Sequence, residues 1–237
     1  MHSNPNSNLK DKSDWRREQI NLLIESLHNE ITNFNKKNKK YVQFGISPSG
    51  IYKNSKNNDT VNYDSEGNAI TKGSDTNGLQ HYDDHLFADT LKWIEKGWID
   101  YIIPQIYWAH NHINAPFKKV IDWWNRVVLY KNINLYAGIG LYKCYDGNET
   151  TAFGWRTENN ELYNQLTFVP NDDTPRKIEG FSIYQFTALK QEQESVPKNP
   201  ICPEQIKNGK EAWENIVPPS EIKSFEKSFL QLLQILH

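Results

Sequence analysis

The chain has 237 residues, 37% hydrophobic and 24% charged, which allows one sizeable domain with a real core and is not the composition of a disordered chain. A formal net charge of -2 gives no electrostatic case for nucleic acid or an anionic membrane. The 2 cysteines, Cys144 and Cys202, lie far apart without CxxC or Cys/His spacing, and indicate neither a disulfide framework nor a zinc site.

No apolar run reaches membrane-spanning length, and the opening MHSNPNSNLKDKSD lacks the apolar segment of a signal peptide. As it stands, the chain shows no export route. Residues 1–13 are read as a polar tail. Ser13 or Asp14 can cap a helix from Trp15, in which Ile20, Leu23, Ile24, Leu27, Ile31 and Phe34 recur at three- and four-residue steps and predict one buried stripe. The Lys/Asn run at 35–40 ends it. The first strand is YVQFGI (41–46), closing on Ser47, Pro48, Ser49 and Gly50. The polar segment 53–80 reads as a long loop, a kind that is usually functional or disordered.

Asp83 or Asp84 then opens a helix carrying Leu86, Phe87, Leu91 and Ile94, and Gly97 sits where a left-handed cap belongs. The near-continuous apolar block Ile99–Tyr107 has the character of a strand covered on both faces. It ends in Gln105, Tyr107 and Trp108. After the loop 109–115, Pro116 starts a helix with Phe117, Val120, Ile121, Trp124 and Val128 on its stripe. INLYAGIGL (133–141) is the third strand, followed by Tyr142 and Lys143. Residues 144–178 read as loop with a short helix near 161–166. The fourth strand is GFSIYQF (180–186), which contains Gln185. Helical stretches over 203–216 and 222–236 are divided by Pro218 and Pro219.

Strands alternating with helices make an α/β protein of βαβ units with a parallel sheet. Four such units are half of an eight-stranded barrel, which typically needs about 250 residues. The expectation is a partial (β/α)8 TIM barrel, approximately its last four units, over 14–217, with a helical extension over 218–237. Four strands leave two parallel edges unpaired.

The motifs DWRR (14–17), FGISPSGIY (44–52), YDDHLFADTLKWIEKGWIDYIIPQIYW (82–108), NLYAGIGLYK (134–143) and GFSIYQFTAL (180–189) resemble, in order and spacing, those of the glycosyl hydrolase-like 10 family, also called DUF187 or YngK-like. The resemblance covers roughly 14–217. It implies a (β/α)8 barrel of bacterial envelope glycosidases, usually exported or lipid-anchored, some of them connected with peptidoglycan glycan strands stripped of peptide. It also implies strands upstream of DWRR that end in an acidic motif of the type Asp-Asp-Tyr-Phe, for which this chain has no counterpart. The chain is accordingly expected to be a truncated copy of a cell-wall glycoside hydrolase. The alternative is a non-catalytic saccharide-binding remnant, or one half of a split enzyme.

Glycoside hydrolysis usually needs two carboxyl groups flanking the bond, one to protonate the leaving oxygen and one to attack or to activate water. In barrels such groups sit at the C-terminal ends of strands. Asp83 is the candidate catalytic carboxylate, with Asp84 beside it as a substrate contact; both are equally placed to cap the following helix. Asp89 falls inside that helix and reads as structural, and Asp100 lies at the wrong end of its strand. Ser47, Gln105, Tyr107, Trp108, Tyr142, Lys143 and Gln185 fall at or near strand ends and form a polar and aromatic rim suited to a saccharide. Lys143 can pair with an acidic ligand group or a site carboxylate, or simply lie exposed. Arg16 or Arg17 can contact substrate or be solvated. His110 and His112 have HxH spacing but no third ligand, so no metal is expected. No strand leads into a Gly-rich phosphate loop, so no nucleotide cofactor is expected. The expected partners are the glycan and, through the open sheet edges, a complementary N-terminal half or a second copy of the chain.

Overall fold

In a computed structural model the chain is described over residues 12–83, 86–145, 154–156, 160–170, 174–185, 188 and 201–216. The elements in order are α1 (Lys12–Asn38), β1 (Gly45–Ile46), β2 (Val61–Tyr63), β3 (Ala69–Thr71), α2 (Thr90–Glu95), β4 (Tyr101–Ile102), α3 (Phe117–Val127), β5 (Asn134–Ile139), a 3-10 turn over Leu141–Cys144, α4 (Glu161–Leu166), β6 (Ile178–Ile183) and α5 (Ile201–Ile216). They fall into two compact units, Met1–Gly140 with Pro170–Tyr184, and Leu141–Val169 with Gln185–His237.

The first unit carries the sheet. β1, β4, β5 and β6 are hydrogen-bonded in that order and every pairing is parallel, an arrangement compatible with an arc of a (β/α) barrel. Side chains alternate across the sheet. Ile102, Leu135, Ala137 and Ile139 are buried, and Ile106 beyond β4 is buried with them. This is the side on which α3 packs, with Phe117, Val120, Ile121, Trp123 and Trp124 all inaccessible to solvent. The expected α3 stripe is thus the core stripe. Trp124 also donates from Nε1 to the Gly50 carbonyl at 2.8 Å, tying the end of β1 to this core. The opposite parity, with Tyr101, Gln105, Tyr107, Tyr136 and Ser182, is partly open.

Several expectations need correcting. The regular strands are shorter than the apolar runs: β1 covers Gly45–Ile46 and β4 covers Tyr101–Ile102. Pro104 has no N–H to continue a ladder, yet isolated bridges prolong the pairing at Ser49–Gln105 and Gln105–Gly138. β6 lies earlier than expected, at Ile178–Ile183. α1 begins by Lys12, so Asp14 stands in its first turn and does not precede the helix. Its buried line is Arg17, Asn21 and Ile24; Leu23 is 58% exposed, and Leu27 and Phe34 are exposed as well. The apolar stripe and the docked face are therefore out of phase. Trp93 explains why, because its indole Nε1 donates to Asn21 Oδ1 at 2.7 Å. A polar contact, not the apolar stripe, sets the roll of α1.

The segment 53–80 is not a featureless loop. β2 and β3 form an antiparallel hairpin that lies against α3. Tyr63 donates its hydroxyl to the Arg126 carbonyl at 2.9 Å and meets the Tyr130 ring edge to face at 4.6 Å. Arg126 in turn pairs with Asp59 at 3.0 Å, and Lys119 pairs with Asp75 at 2.6 Å. Hydrophilic composition hid this hairpin because its order comes from side-chain anchors on α3.

In the second unit α4 packs on α5. Gln205, fully buried, accepts from the Leu162 N–H and donates to the Trp155 carbonyl, each at 2.9 Å. The expected tail lies outside the described residues except for 12 and 13, and the expected C-terminal extension lies wholly outside them.

Candidate functional site at the strand ends

The C-terminal end of β1 is held to β4 by side chains. Ser47 donates from Oγ to the Ile103 carbonyl at 2.9 Å. Gln105 donates from Nε2 to the Ser47 carbonyl at 3.0 Å. The amide nitrogen of Gln105 is thus turned toward β1, and its Oε1 accepts no hydrogen bond from a described residue. Gly50 makes the neighbouring turn possible: a Cβ there would come within 2.7 Å of both the Gln105 carbonyl oxygen and the Trp108 ring. Tyr107 stacks on Tyr184, ring centroids 5.8 Å apart and planes 13° from parallel. Ser47, Gln105 and Tyr107 therefore share one face at the strand ends, with the Trp108 ring beside Gly50.

Behind this rim stands His81, with no solvent exposure. Its Nδ1 lies 3.0 Å from the Ser49 carbonyl and its Nε2 lies 2.8 Å from Thr90 Oγ1. The carbonyl can only accept, so Nδ1 carries the hydrogen and Nε2 accepts from the threonine hydroxyl. The ring stacks on Trp124 at 6.1 Å and meets Tyr52 edge to face at 5.5 Å. Burial lowers its pKa to about 4, against a smaller opposing effect of its hydrogen bonds to the Ser49 and Ile51 backbone. A neutral imidazole thus clamps the end of β1 to the start of α2.

Asp83 lies farther out, where the N-terminal turns of α1 and α2 meet. Arg17 donates from one nitrogen to Asp83 Oδ1 at 3.0 Å and to the Tyr82 carbonyl at 3.1 Å, and pairs through the other with Asp14. Lys53 approaches Asp83 Oδ2 at 3.8 Å. Both cations lie over the Tyr82 ring, at 4.3 and 4.7 Å from its centroid. The Asp83 side chain is 37% exposed and so reachable. Arg17 and Lys53 thus engage its two carboxylate oxygens from separate segments of the chain.

Asp83 does not cap the helix. That role falls to Asp89, which accepts from the Lys92 N–H at 3.3 Å and from the Tyr52 hydroxyl at 3.2 Å. Burial raises the Asp89 pKa, against those hydrogen bonds and the Lys92 and Arg17 charges. Asp84 lies outside the described residues. Arg16 rests on the Phe87 ring, 5.0 Å from its centroid, and it is Arg17 that engages the carboxylate. Tyr142, Lys143 and Gln185 belong to the second unit. There Lys143 sits over the Tyr142 ring at 5.3 Å, and the exposed Gln185 accepts through its carbonyl from the Ala188 N–H at 2.9 Å.

Among the described residues, no three His, Cys, Asp or Glu side chains gather as a metal set. His112 accepts from the Ala115 N–H at 3.1 Å, whereas His110 lies against Phe117. Among the described residues, no strand of the sheet is followed directly by an acidic residue.

Residues 2–157 match the family described as glycosyl hydrolase-like 10. The chain belongs to that family. Similar proteins include the glycosyl hydrolase YngK of Bacillus subtilis, 40% identical over 130 residues, a match covering 55% of this chain and 22% of YngK. The glycosyl hydrolase DigH of Escherichia coli strain CFT073 is 38% identical over 132 residues, covering 56% of this chain and 26% of DigH. DigH of strain K12 is 34% identical over the same length. The chain thus spans about a quarter of the length of the curated relatives it matches. As a glycosyl hydrolase-like 10 protein it is glycoside hydrolase-like. The matched stretch contains Arg17, Ser47, His81, Asp83, Gln105, Tyr107 and Trp108.

Lys53 and His81 were not singled out from the sequence; of Arg16 and Arg17, both named there, Arg17 is the one that meets Asp83. Arg17 and Asn21, four residues apart and followed by Ile24, do form a helical line. That line was the available signal, and it was outweighed by the longer apolar stripe beside it.

Proposed function

We propose that the chain acts on a bacterial cell-wall, peptidoglycan-type glycan by carboxylate acid/base chemistry, within a (β/α) barrel of which its sheet is an arc. One observation carries the reading: in a glycosyl hydrolase-like 10 chain, a hydrogen-bonding amide, a serine and stacked tyrosines share the C-terminal rim of a parallel sheet. Sugar hydroxyls can bond to Gln105 and Ser47, while the C–H face of the ring lies on aromatic carbon. Asp83 serves as base or nucleophile, with Arg17 and Lys53 fixing its orientation. The proton donor comes from outside the described residues. That is consistent with an assembly in which a complementary N-terminal half, or a second copy, pairs along the open edge of β1.

The test is release of reducing ends from peptide-free peptidoglycan glycan strands, by the chain alone and mixed with a candidate N-terminal half. Activity in either arm supports the reading. Silence in both, together with no binding of the strands, overturns it.

A further inference from the structure

The sheet register places Gln105 opposite Gly138, and Gly138 opposite Ser182. Two residues further along, the next rung toward the rim on the same face is Tyr107, Gly140 and Tyr184. The Tyr184 N–H donates to the Ile139 carbonyl at 2.7 Å, so the ladder reaches this level. Strands β4 and β6 flank β5 and are separated by two strand spacings, roughly 10 Å. Across that gap the two tyrosine rings nevertheless stack at 5.8 Å.

Gly140 allows it. A Cβ at 140 would lie 2.7 Å from Tyr107 Cβ and 2.8 Å from its Cγ, inside contact distance. Gly138 repeats the device one rung below, where a Cβ would lie 2.7 Å from the Pro104 carbonyl oxygen. The centre of the sheet face is thus kept free of side chains, and aromatic rings from both sides close over it. Tyr184 is 51% exposed. A half-exposed ring, backed by a second ring and one rung above the Gln105 amide, is built for more than filling a core.

We infer that Tyr184, supported by Tyr107 across Gly140, is a sugar-stacking residue that fixes the plane of one glycan ring beside Gln105. The inference rests on the glycan reading above and deepens it. Stacking uses the π face and not the hydroxyl, so the phenol oxygen is dispensable and the ring is not. Gly140 is a positioning residue, acting through Tyr107.

The experiment is calorimetric titration of the purified chain with peptide-free peptidoglycan glycan strands. Tyr184→Ala weakens binding about ten-fold, Tyr184→Phe stays within about three-fold of the native chain, and Gly140→Ala falls on the alanine side. Tyr184 is half exposed, so its variants stay folded at the titration temperature, which their unfolding curves verify, and lost stacking on the glycan is separated from lost folding. Equal affinity of Tyr184→Ala and the native chain overturns the platform and leaves the glycan reading standing. Loss of affinity in Tyr184→Phe equal to that of Tyr184→Ala overturns it too, because the hydroxyl would then be the contact. A native chain that binds no strand at all overturns both.

Discussion

The buried His81 makes stability depend on pH in a window where few other groups titrate. In the unfolded chain the imidazole takes a proton near pH 6.5; in the fold it resists until about pH 4. Between these values the unfolded state binds more protons, so stability rises with pH there. The stabilisation is complete above about pH 6.5 and is lost as pH falls toward 4. At about 1.36 kcal/mol per unit, the whole span is worth about 3 kcal/mol, and about 2 kcal/mol is already gone at pH 5. Among the described residues, the ring's hydrogen-bond and aromatic partners are Ser49, Thr90, Tyr52 and Trp124. Asp89, with its raised pKa, works in the opposite direction at the acidic end of the window. The assay is urea unfolding at pH 7.5, 6, 5 and 4.5 for the native chain and for His81→Gln. The native chain loses stability steadily below pH 6.5, while the variant starts lower and stays flat through the same range. An imidazole resonance of His81 that titrates near 6.5 by NMR would refute the reasoning, as would parallel loss in both chains.

Arg17→Leu leaves Asp83 and Asp14 without their shared partner and removes one of the two cations over Tyr82. Because Asp83 is part exposed, the cost in urea unfolding is about 2 kcal/mol and not the full cost of a broken buried pair; a loss under about 0.5 kcal/mol would show the cluster to be ornamental. Trp124→Phe deletes the donor to the Gly50 carbonyl and lowers stability by about 1–2 kcal/mol, the loss a single buried hydrogen bond brings. Gln105→Ala weakens binding of glycan strands while leaving unfolding within about 1 kcal/mol of native; unchanged affinity would remove Gln105 from the site. Among the described residues β1 is paired on one side only, and Leu23, Leu27 and Phe34 are exposed on α1; together these predict self-association in sedimentation velocity at micromolar concentration. A cooperatively unfolding monomer under those conditions contradicts it.

The parallel α/β order was legible because two periods differ: apolar runs near Ile102 and Leu135 against the 3.6-residue stripe of Phe117, Val120, Ile121 and Trp124. Gly97 at φ 63° was legible for the same local reason, since the backbone there needs a residue without a Cβ. What sequence reasoning lost is long-range. The hairpin at 61–71 is ordered by Arg126, Lys119 and Tyr63, and no local pattern in a polar segment announces anchors more than forty residues away. α1 is held in its roll by polar contacts far along the chain, Asn21 with Trp93 across 72 residues and Arg17 with Tyr82 and Asp83. Asp83 stood out in the sequence as a candidate acid at the end of the long loop, with Lys143 free to pair with a site carboxylate or a ligand; in the structure it is Arg17 that pairs with Asp83. The rim itself was half legible. Gln105 and Tyr107 announce themselves by following an apolar block, while Tyr184 gains its meaning only from the register that sets it opposite Gly140.

The most direct test of the account is the rate at which Asp83→Asn, compared with the native chain, releases reducing ends from peptide-free glycan strands in whichever arm is active. Asparagine keeps the shape and a hydrogen-bonding oxygen toward Arg17 but cannot act as base or nucleophile. The account predicts that Asp83→Asn binds the strands as the native chain does and cleaves them at least about a hundred-fold more slowly. Native cleavage rates in that variant would contradict it, and would move the chemistry away from the cluster at the head of α1 and α2.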